Sequence, residues 1–345
     1  MALKVLIRTP NHLGDTLMAM PMINEAREAH PGSVLSVLVP EYLADLFDAN
    51  PAVDELIKIP TKHIHGLISV VRVRDLIARD SYDIGYILPP SFGAAAAFKL
   101  GGVGERIGYV TDGRRLLLTK ALPLPEPLNS SHRSETYFNL LRRGAKASIS
   151  YVPPKLFIND QDVERAIELL KAYDVGEEVK YAVVAFRAVA ESRRWGKDNY
   201  VALIKEIVAE MGYHVMLIGS AADRAEGDEV VAATGGRKVV NLAGKTSLRE
   251  AAAVLSQGVF FVGNDSGPAH LAASVGIPLV VLTGADDPAE TSPVSTRKEV
   301  ISLDHLECIH CVKNLCPLKG EEKMQCMTGI SVEMVLEAIS KVIEK

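Results

Sequence analysis

The feature that most restricts the fold is an alternation that runs through the chain twice. Short apolar runs rich in β-branched residues are each followed by a stretch with helical spacing. Parallel strands need crossover connections and are buried on both faces, so this alternation reads as parallel β-sheets covered by helices. In the first half the strand-like runs fall at residues 5–8, 34–39, 54–59 and 83–88. A helix is expected over residues 15–29, and Leu67, Val70, Val71, Arg74 and Ile77 share the face of another. Residues 91–146, rich in Gly and Arg, show no clear period. In the second half the strands fall at 181–186, 214–218, 239–242, 259–263 and 279–282. Helices are expected at 160–173, 199–211, 223–233, 247–256 and 269–275, the fourth opened by a Ser247/Glu250 capping box. A last amphipathic run at 332–343 starts behind Ser331 as a cap.

The 345 residues suffice for two such sheets. The expected architecture is therefore α/β, two Rossmann-like domains facing each other across a cleft. The first covers 1–165, the second 175–327, and a C-terminal helix at 331–345 packs back towards the first. Open parallel sheets bind ligands beyond the carboxyl ends of their strands, so the loops that follow strands come first for function.

Composition removes several classes. With 48 % apolar and 23 % charged residues the chain is globular rather than disordered. A net charge of −5 argues against a general polycation for nucleic acid. The longest apolar run, 277–285, contains Pro278 and Gly284 and is far short of the roughly 18 residues of a membrane span. Lys4 and Arg8 interrupt the first apolar stretch, unlike a secretory signal, so a cytoplasmic location is expected. Charge is uneven, however. Residues 58–146 hold 14 Lys and Arg against 7 Asp and Glu, a local excess suited to an anionic partner or simply to a solvated face. The arginines are spread over separate loops, which suits phosphate or carboxylate groups better than a nucleic-acid groove.

Four loops can carry chemistry. The first runs from Thr9 to Asp15 and lacks Gly-x-Gly-x-x-Gly, which disfavours a dehydrogenase; the absence of Gly-x4-Gly-Lys-Ser/Thr likewise disfavours a P-loop kinase. Asp15 sits at a helix start, where it is either the N-cap or a general base, and Gly14 lets backbone approach a substrate closely. The second loop, 263–270, joins Asp265, Ser266 and Gly267 to Pro268 at a helix start. Free N–H groups, a hydroxyl, the positive helix end and His270 together favour a phosphate, although a structural turn has the same look. The third, 187–195, sets Arg193 and Arg194 beside the only Trp, either as a diphosphate clamp or as solvated cations next to a core ring. The fourth, 219–223, offers Asp223 for ribose hydroxyls, or as a helix cap.

All four cysteines fall in Cys308-x2-Cys311-x4-Cys316-x9-Cys326. The first pair has zinc-ligand spacing and four thiolates complete a tetrahedral structural site; free buried thiols and disulfides are the alternatives, and an iron–sulfur cluster has no electron-transfer logic here.

These residues also carry a family resemblance over essentially the whole chain. Arg8–Pro21, with Gly14-Asp15 before Thr16, is similar to the acceptor-side signature of the ADP-heptose:lipopolysaccharide heptosyltransferases, inverting glycosyltransferases of family 9 with the GT-B fold. Asn264-Asp-Ser-Gly-Pro-Ala-His270, followed by Ala272-Ala-Ser-Val-Gly-Ile-Pro278, is similar to the donor-side signature. Arg106-Ile-Gly-Tyr109, Asp112-Gly-Arg114 and Leu117-Leu-Thr119 resemble the type that adds a heptose to the first heptose of the inner core.

The resemblance implies ADP-heptose as donor, lipopolysaccharide inner core as acceptor, peripheral contact at the cytoplasmic face of the inner membrane, and no cofactor for catalysis. It implies Asp15 as general base, Arg193 on the donor phosphates, Asp223 on the ribose, and Asp265, Ser266, Gly267 and His270 as the diphosphate turn. Gly14, Arg72, Arg106 and Arg114 then face the anionic acceptor. The chain departs from the pattern at Arg193, usually Lys, and at Gly196, where Pro is common. Other acceptors (Kdo, a later core heptose, a protein side chain) and a catalytically silent nucleotide-sugar-binding protein are the competing readings.

Overall fold

The computed structural model describes residues 2–64, 66–125 and 131–344. The chain divides into two compact units, Met1–Phe157 and Ile158–Lys345. The first sheet contains β1 (Lys4–Arg8), β2 (Val34–Pro40), β3 (Glu55–Ile59), β4 (Ile84–Ile87), β5 (Glu105–Tyr109) and β6 (Lys120–Leu122). They lie in the order β3-β2-β1-β4-β5-β6, every pairing parallel. The second sheet contains β7 (Tyr181–Ala185), β8 (His214–Leu217), β9 (Val239–Asn241), β10 (Phe261–Asn264), β11 (Leu279–Leu282) and β12 (Lys298–Ile301). Its order is β12-β11-β10-β7-β8-β9, again wholly parallel.

Both orders follow one rule: the chain starts in the middle, walks to one edge, returns and walks to the other. The direction reverses between β1 and β4 in one unit and between β7 and β10 in the other. A crevice forms beyond the carboxyl ends of the strands at such a reversal, and ligands of open α/β sheets bind there. The central strands are apolar without alternation, as double-sided burial demands: Val5, Leu6 and Ile7 in β1, and all five residues of β7, are buried.

Some elements differ from the sequence reading. The helix expected over 15–29 is three short pieces, Leu13–Met18, Met20–Asn24 and Ala26–Ala29. Pro21, in the first turn of the middle piece, has no N–H to give the preceding turn, so the ladder restarts there. The aperiodic 91–146 region holds a helix at Phe92–Leu100, strands β5 and β6, a 3-10 turn at Arg114–Leu117 and a helix at Arg133–Ala145.

The helix Asp160–Lys171 belongs to the second unit, which moves the division ahead of residue 165. Its Asn159/Asp162 capping box closes the N-terminus, and it packs on the helix Leu248–Gln257. Between them lies a buried ion pair: Arg249 Nε donates to Asp162 Oδ1 at 3.0 Å, and Nη2 donates to Oδ2. Burial works against the Asp162 charge, but the hydrogen bonds from Arg249 and the Asn159 backbone outweigh it and hold the carboxyl below its usual range.

The last helix, Val332–Glu344, was expected to pack back towards the first domain. Within the second unit it packs on β11, β12 and the helix Lys197–Glu210. Val335, Ile339 and Val342 are fully buried there, each contributing about 1.5–3 kcal/mol relative to exposure. No helix among the described residues is long and apolar enough to cross a membrane.

Candidate functional site

In the first unit the loop after β1 is held from beneath. Arg8 is buried, and its Nη1 donates to Thr9 O at 2.6 Å while Nη2 donates to Asn11 Oδ1 at 2.5 Å. Burial pushes its pKa down to about 10, which leaves the guanidinium charged at neutral pH. The Thr9 N–H donates to Leu38 O at the end of β2, and Tyr42 Oη donates to Asn11 O. The helix Leu13–Met18 starts on this fixed loop.

His12, not Asp15, occupies the N-cap, so the Asp15 carboxylate in the first turn is not used to cap its own helix. It lies instead 3.1 Å from Arg133 Nη1, at the first residue of the helix Arg133–Ala145. The Asp15 side chain remains 22 % exposed, enough for a solute to reach it. One turn further along, Tyr137 has its hydroxyl pKa pushed up by burial first and then by the Asp15 charge, which keeps it a hydrogen-bond donor. Sequence reasoning missed Arg133. It belongs to the basic 58–146 stretch, but no local pattern marks it, and the contact spans 118 positions in the chain.

Two of the arginines expected at the acceptor make their contacts with backbone carbonyls. Arg114 is 1 % exposed, and its guanidinium donates to the carbonyls of Tyr109 (2.9 Å), Pro89 and Ile87 (3.5 Å). Burial lowers its pKa to about 10. It completes the carbonyl ends of β4 and β5. Arg106 donates to Leu117 O at 2.8 Å, Val103 O at 2.7 Å and Gly104 O at 2.9 Å, near the amino end of β5 and away from the ligand end of the sheet. Arg72 is exposed on the helix Leu67–Ile77, where nothing aims it at Asp15. Gly14 stands beside Asp15 in the first turn.

In the second unit the turn after β10 gathers four of the expected residues. The Asp265 N–H donates to Leu282 O at 2.9 Å, which locks the turn to β11. Ser266 is the N-cap of the helix Gly267–Val275 with extended backbone, and Pro268 lies in its first turn. The Ser266 hydroxyl donates to Asn264 O at 3.2 Å and does not cap the helix, so the first-turn N–H groups are not taken by the cap side chain. His270 is 7 % exposed with Nε2 3.7 Å from Asp265 Oδ1.

The neighbouring loop, after β7, supplies Arg193 from the 3-10 turn Glu191–Arg193; its Nη2 pairs with the buried Asp286 at 2.5 Å. Arg194 is not part of a clamp: it donates to Ala188 O (2.8 Å) and Val189 O (3.1 Å) within its own loop. Trp195 is 1 % exposed, edge-on to Tyr200 with centroids 4.9 Å apart, and its Nε1 donates to Ile330 O; it is a core ring. Asp223 forms a capping box with Ser220, whose N–H and hydroxyl both donate to Oδ2, while Oδ1 is 3.5 Å from Arg187 Nε. The cap alternative is thus the one its present contacts satisfy.

The cysteines also meet. Cys308, Cys311, Cys316 and Cys326 line one cavity of about 120 Å³ together with Ser192, Ala285 and Met324. All four are free thiols. Burial, then the other three cysteines, pushes the Cys326 thiol up. Among the described residues no three His, Cys, Asp or Glu side chains are placed as a ready-made metal site.

Two parallel sheets of identical strand order, each with polar side chains gathered at its reversal, place the chain in the class of double-sheet, doubly wound α/β proteins. The family model described as glycosyltransferase family 9 (heptosyltransferase) matches residues 70–321, and the chain belongs to that family. It is similar to a lipopolysaccharide heptosyltransferase 2 of Salmonella typhimurium, 28 % identical with 99 % of each chain covered. Among solved structures, that of Escherichia coli ADP-heptose lps heptosyltransferase II matches with a TM-score of 0.82 and 26 % identity over 99 % of both chains. A family 9 glycosyl transferase from Veillonella parvula matches with a TM-score of 0.86 at 21 % identity, over 99 % of this chain and 98 % of the other. The fold is GT-B and the protein is a glycosyltransferase.

Proposed function

We propose that this enzyme transfers heptose from ADP-heptose to the first heptose of the lipopolysaccharide inner core, with inversion at the anomeric carbon. The Asp15 carboxylate accepts the proton of the acceptor hydroxyl as its oxygen bonds to the anomeric carbon. The bond from that carbon to the diphosphate breaks, and ADP leaves with the electron pair. In the second unit the first-turn N–H groups at Ser266–Gly267, His270 and the Arg193 nitrogens not engaged by Asp286 stabilise the charge on the diphosphate. Asp223 Oδ1, the oxygen Ser220 leaves open, accepts from the ribose hydroxyls. Arg133 binds an anionic group of the acceptor beside the base, in place of Arg106 and Arg114. Retention by double displacement needs a second, nucleophilic carboxylate near the sugar, and no such role is assigned here. The scheme requires no cofactor.

The observation that carries this reading is Asp15: a reachable carboxylate at the strand-order reversal, relieved of capping duty and held by Arg133. The family and the full-length similarity to heptosyltransferases 2 supply the substrate class. The acceptor is lipid-anchored, so the enzyme works at the cytoplasmic face of the inner membrane by peripheral contact. Incubation with ADP-heptose and truncated lipopolysaccharides ending in Kdo or in the first heptose, followed by mass spectrometry, tests it. One added heptose is expected on the heptose-terminated acceptor. Addition only to the Kdo-terminated one reassigns the acceptor, and addition to neither removes the proposal.

A further inference from the structure

The cysteine segment is otherwise unexplained by heptose transfer. Between β12 and the last helix, its regular elements among the described residues are the 3-10 turn Gly320–Glu322 and the single helical turn Gln325–Thr328, too little to bury a core of its own. Yet it is held in a definite shape. The Cys308–Cys311 loop is pinned to the end of β11 by N–H donation from His310 to Gly284 O (2.9 Å) and from Val312 to Ala285 O (2.7 Å). His310 and Val312 both have left-handed backbone (φ 57° and 54°), a costly state for a β-branched valine. Cys316 Sγ accepts the Met324 N–H at 3.4 Å, the kind of donor that stabilises a thiolate. Gly284 lies so close that a Cβ there would stand 2.8 Å from Cys326 Sγ.

We propose that Cys308, Cys311, Cys316 and Cys326 bind one zinc ion as four thiolates, and that this centre braces the two loops carrying Arg193 and Asp286. Four sulfurs around one small cavity match the ligand set of a closed structural zinc site. Among the described residues the thiols are not yet arranged as ligands, so binding requires them to turn into the shared cavity by rotamer changes, which a cation drives and a protonated thiol does not. Each of the four loses its proton on binding, so four protons leave as the ion enters.

The bracing follows from contacts already made. The Ser192 N–H donates to Asn314 O (3.2 Å) and its hydroxyl to Lys313 O, and Lys323 pairs with Glu191 at 3.3 Å. These fix the turn that ends in Arg193. On the other side Val312 holds Ala285, the neighbour of Asp286. The cysteine segment therefore touches both loops whose side chains form the Arg193–Asp286 pair. This second half of the inference rests on the donor-side reading given above; the metal site does not.

The test begins with full-length protein purified with reductant and without chelator. Elemental analysis should give one zinc per chain, released by a thiol-blocking mercurial. Reconstitution with Co(II) should give the intense charge-transfer and ligand-field bands of tetrahedral sulfur ligation. Sub-stoichiometric metal with a weak octahedral cobalt spectrum, or mass-mapped disulfides among the four cysteines, overturns the site; stoichiometric iron overturns the zinc assignment. Cys316→Ser should lose the metal and lower Tm. If that variant does not fold, removal of the metal from the native protein by a strong chelator gives the same reading through Tm. Metal-free enzyme should show an ADP-heptose KM raised about tenfold, with a smaller change in kcat. An unchanged donor KM in metal-depleted enzyme overturns the bracing role while leaving the metal count standing, and failure of all heptose transfer in the zinc-loaded enzyme falls on the functional reading instead.

Discussion

The two units have the same strand order and put polar groups at the same topological place, but they arm it differently. In the first, the reversal carries one reachable carboxylate steadied by an arginine from a distant helix. In the second it carries a turn of backbone N–H groups with an almost buried Asp265 and His270 behind it. The difference teaches that the topology supplies a position and the first residues past the strand decide the chemistry. A partly exposed acid suits proton removal; preorganised dipoles suit an anion that must be held.

The comparison breaks most visibly at Asp15. Asp15→Ala should lower kcat by about 10²–10⁴-fold, with ADP affinity measured by calorimetry unchanged, because only the first unit's chemistry is removed. Loss of ADP binding in that variant would mean the division of labour is wrong.

Asp162→Ala, at the start of the second unit, should cost about 3–5 kcal/mol in denaturant unfolding by leaving Arg249 buried without its carboxylate. The pH dependence has a definite sign. The Asp162 pKa is depressed in the fold, so its contribution is complete above the unfolded value, near 4, and fades as pH falls through the folded one. The variant should therefore lose stability less steeply than the parent below about pH 4; an unchanged acid limb would discount the pair.

His270→Ala should remove chemistry of the second unit, where Asp15→Ala removes that of the first. An ADP-heptose kcat/KM reduced by about 10²-fold, with acceptor KM retained, is expected from steady-state kinetics with each substrate varied. An effect confined to the acceptor would reverse the assignment of the two sites. The smallest effect belongs to Arg72→Ala: stability within about 0.5 kcal/mol of the parent and acceptor KM unchanged, since that side chain stands exposed on its helix. A tenfold rise in acceptor KM would return it to the site.

Much of this architecture could be read in advance because central parallel strands must be apolar on both faces. That is why β1, β2, β7, β8, β10 and β11 stand out as short β-branched runs. β5 does not, since Glu105 and Arg106 open it and only Ile107, Gly108 and Tyr109 are buried. The helix Phe92–Leu100 hides for the opposite reason: Ala and Phe surround it without a polar face to set a period. Asp15 and the Asp265 turn were visible because they follow strands directly. Arg133 was not, because its value lies in a contact made by the folded chain alone. The contacts that Arg106 and Arg114 make were hidden for a related reason. A guanidinium has five donors and serves a strand's carbonyls as readily as a ligand's oxygens, and nothing local distinguishes the two uses.

Under the donor-side proposal, the Arg193–Asp286 pair has a consequence for how the nucleotide is exchanged. A cation that already carries its own anion offers an arriving diphosphate an exchange of partners rather than a vacant charge. The gain on association is the difference between two attractions, which is smaller than either. On that reading the resident Asp286 carboxylate is on hand to reclaim its arginine once the nucleotide leaves, so the guanidinium is never left without a counter-charge.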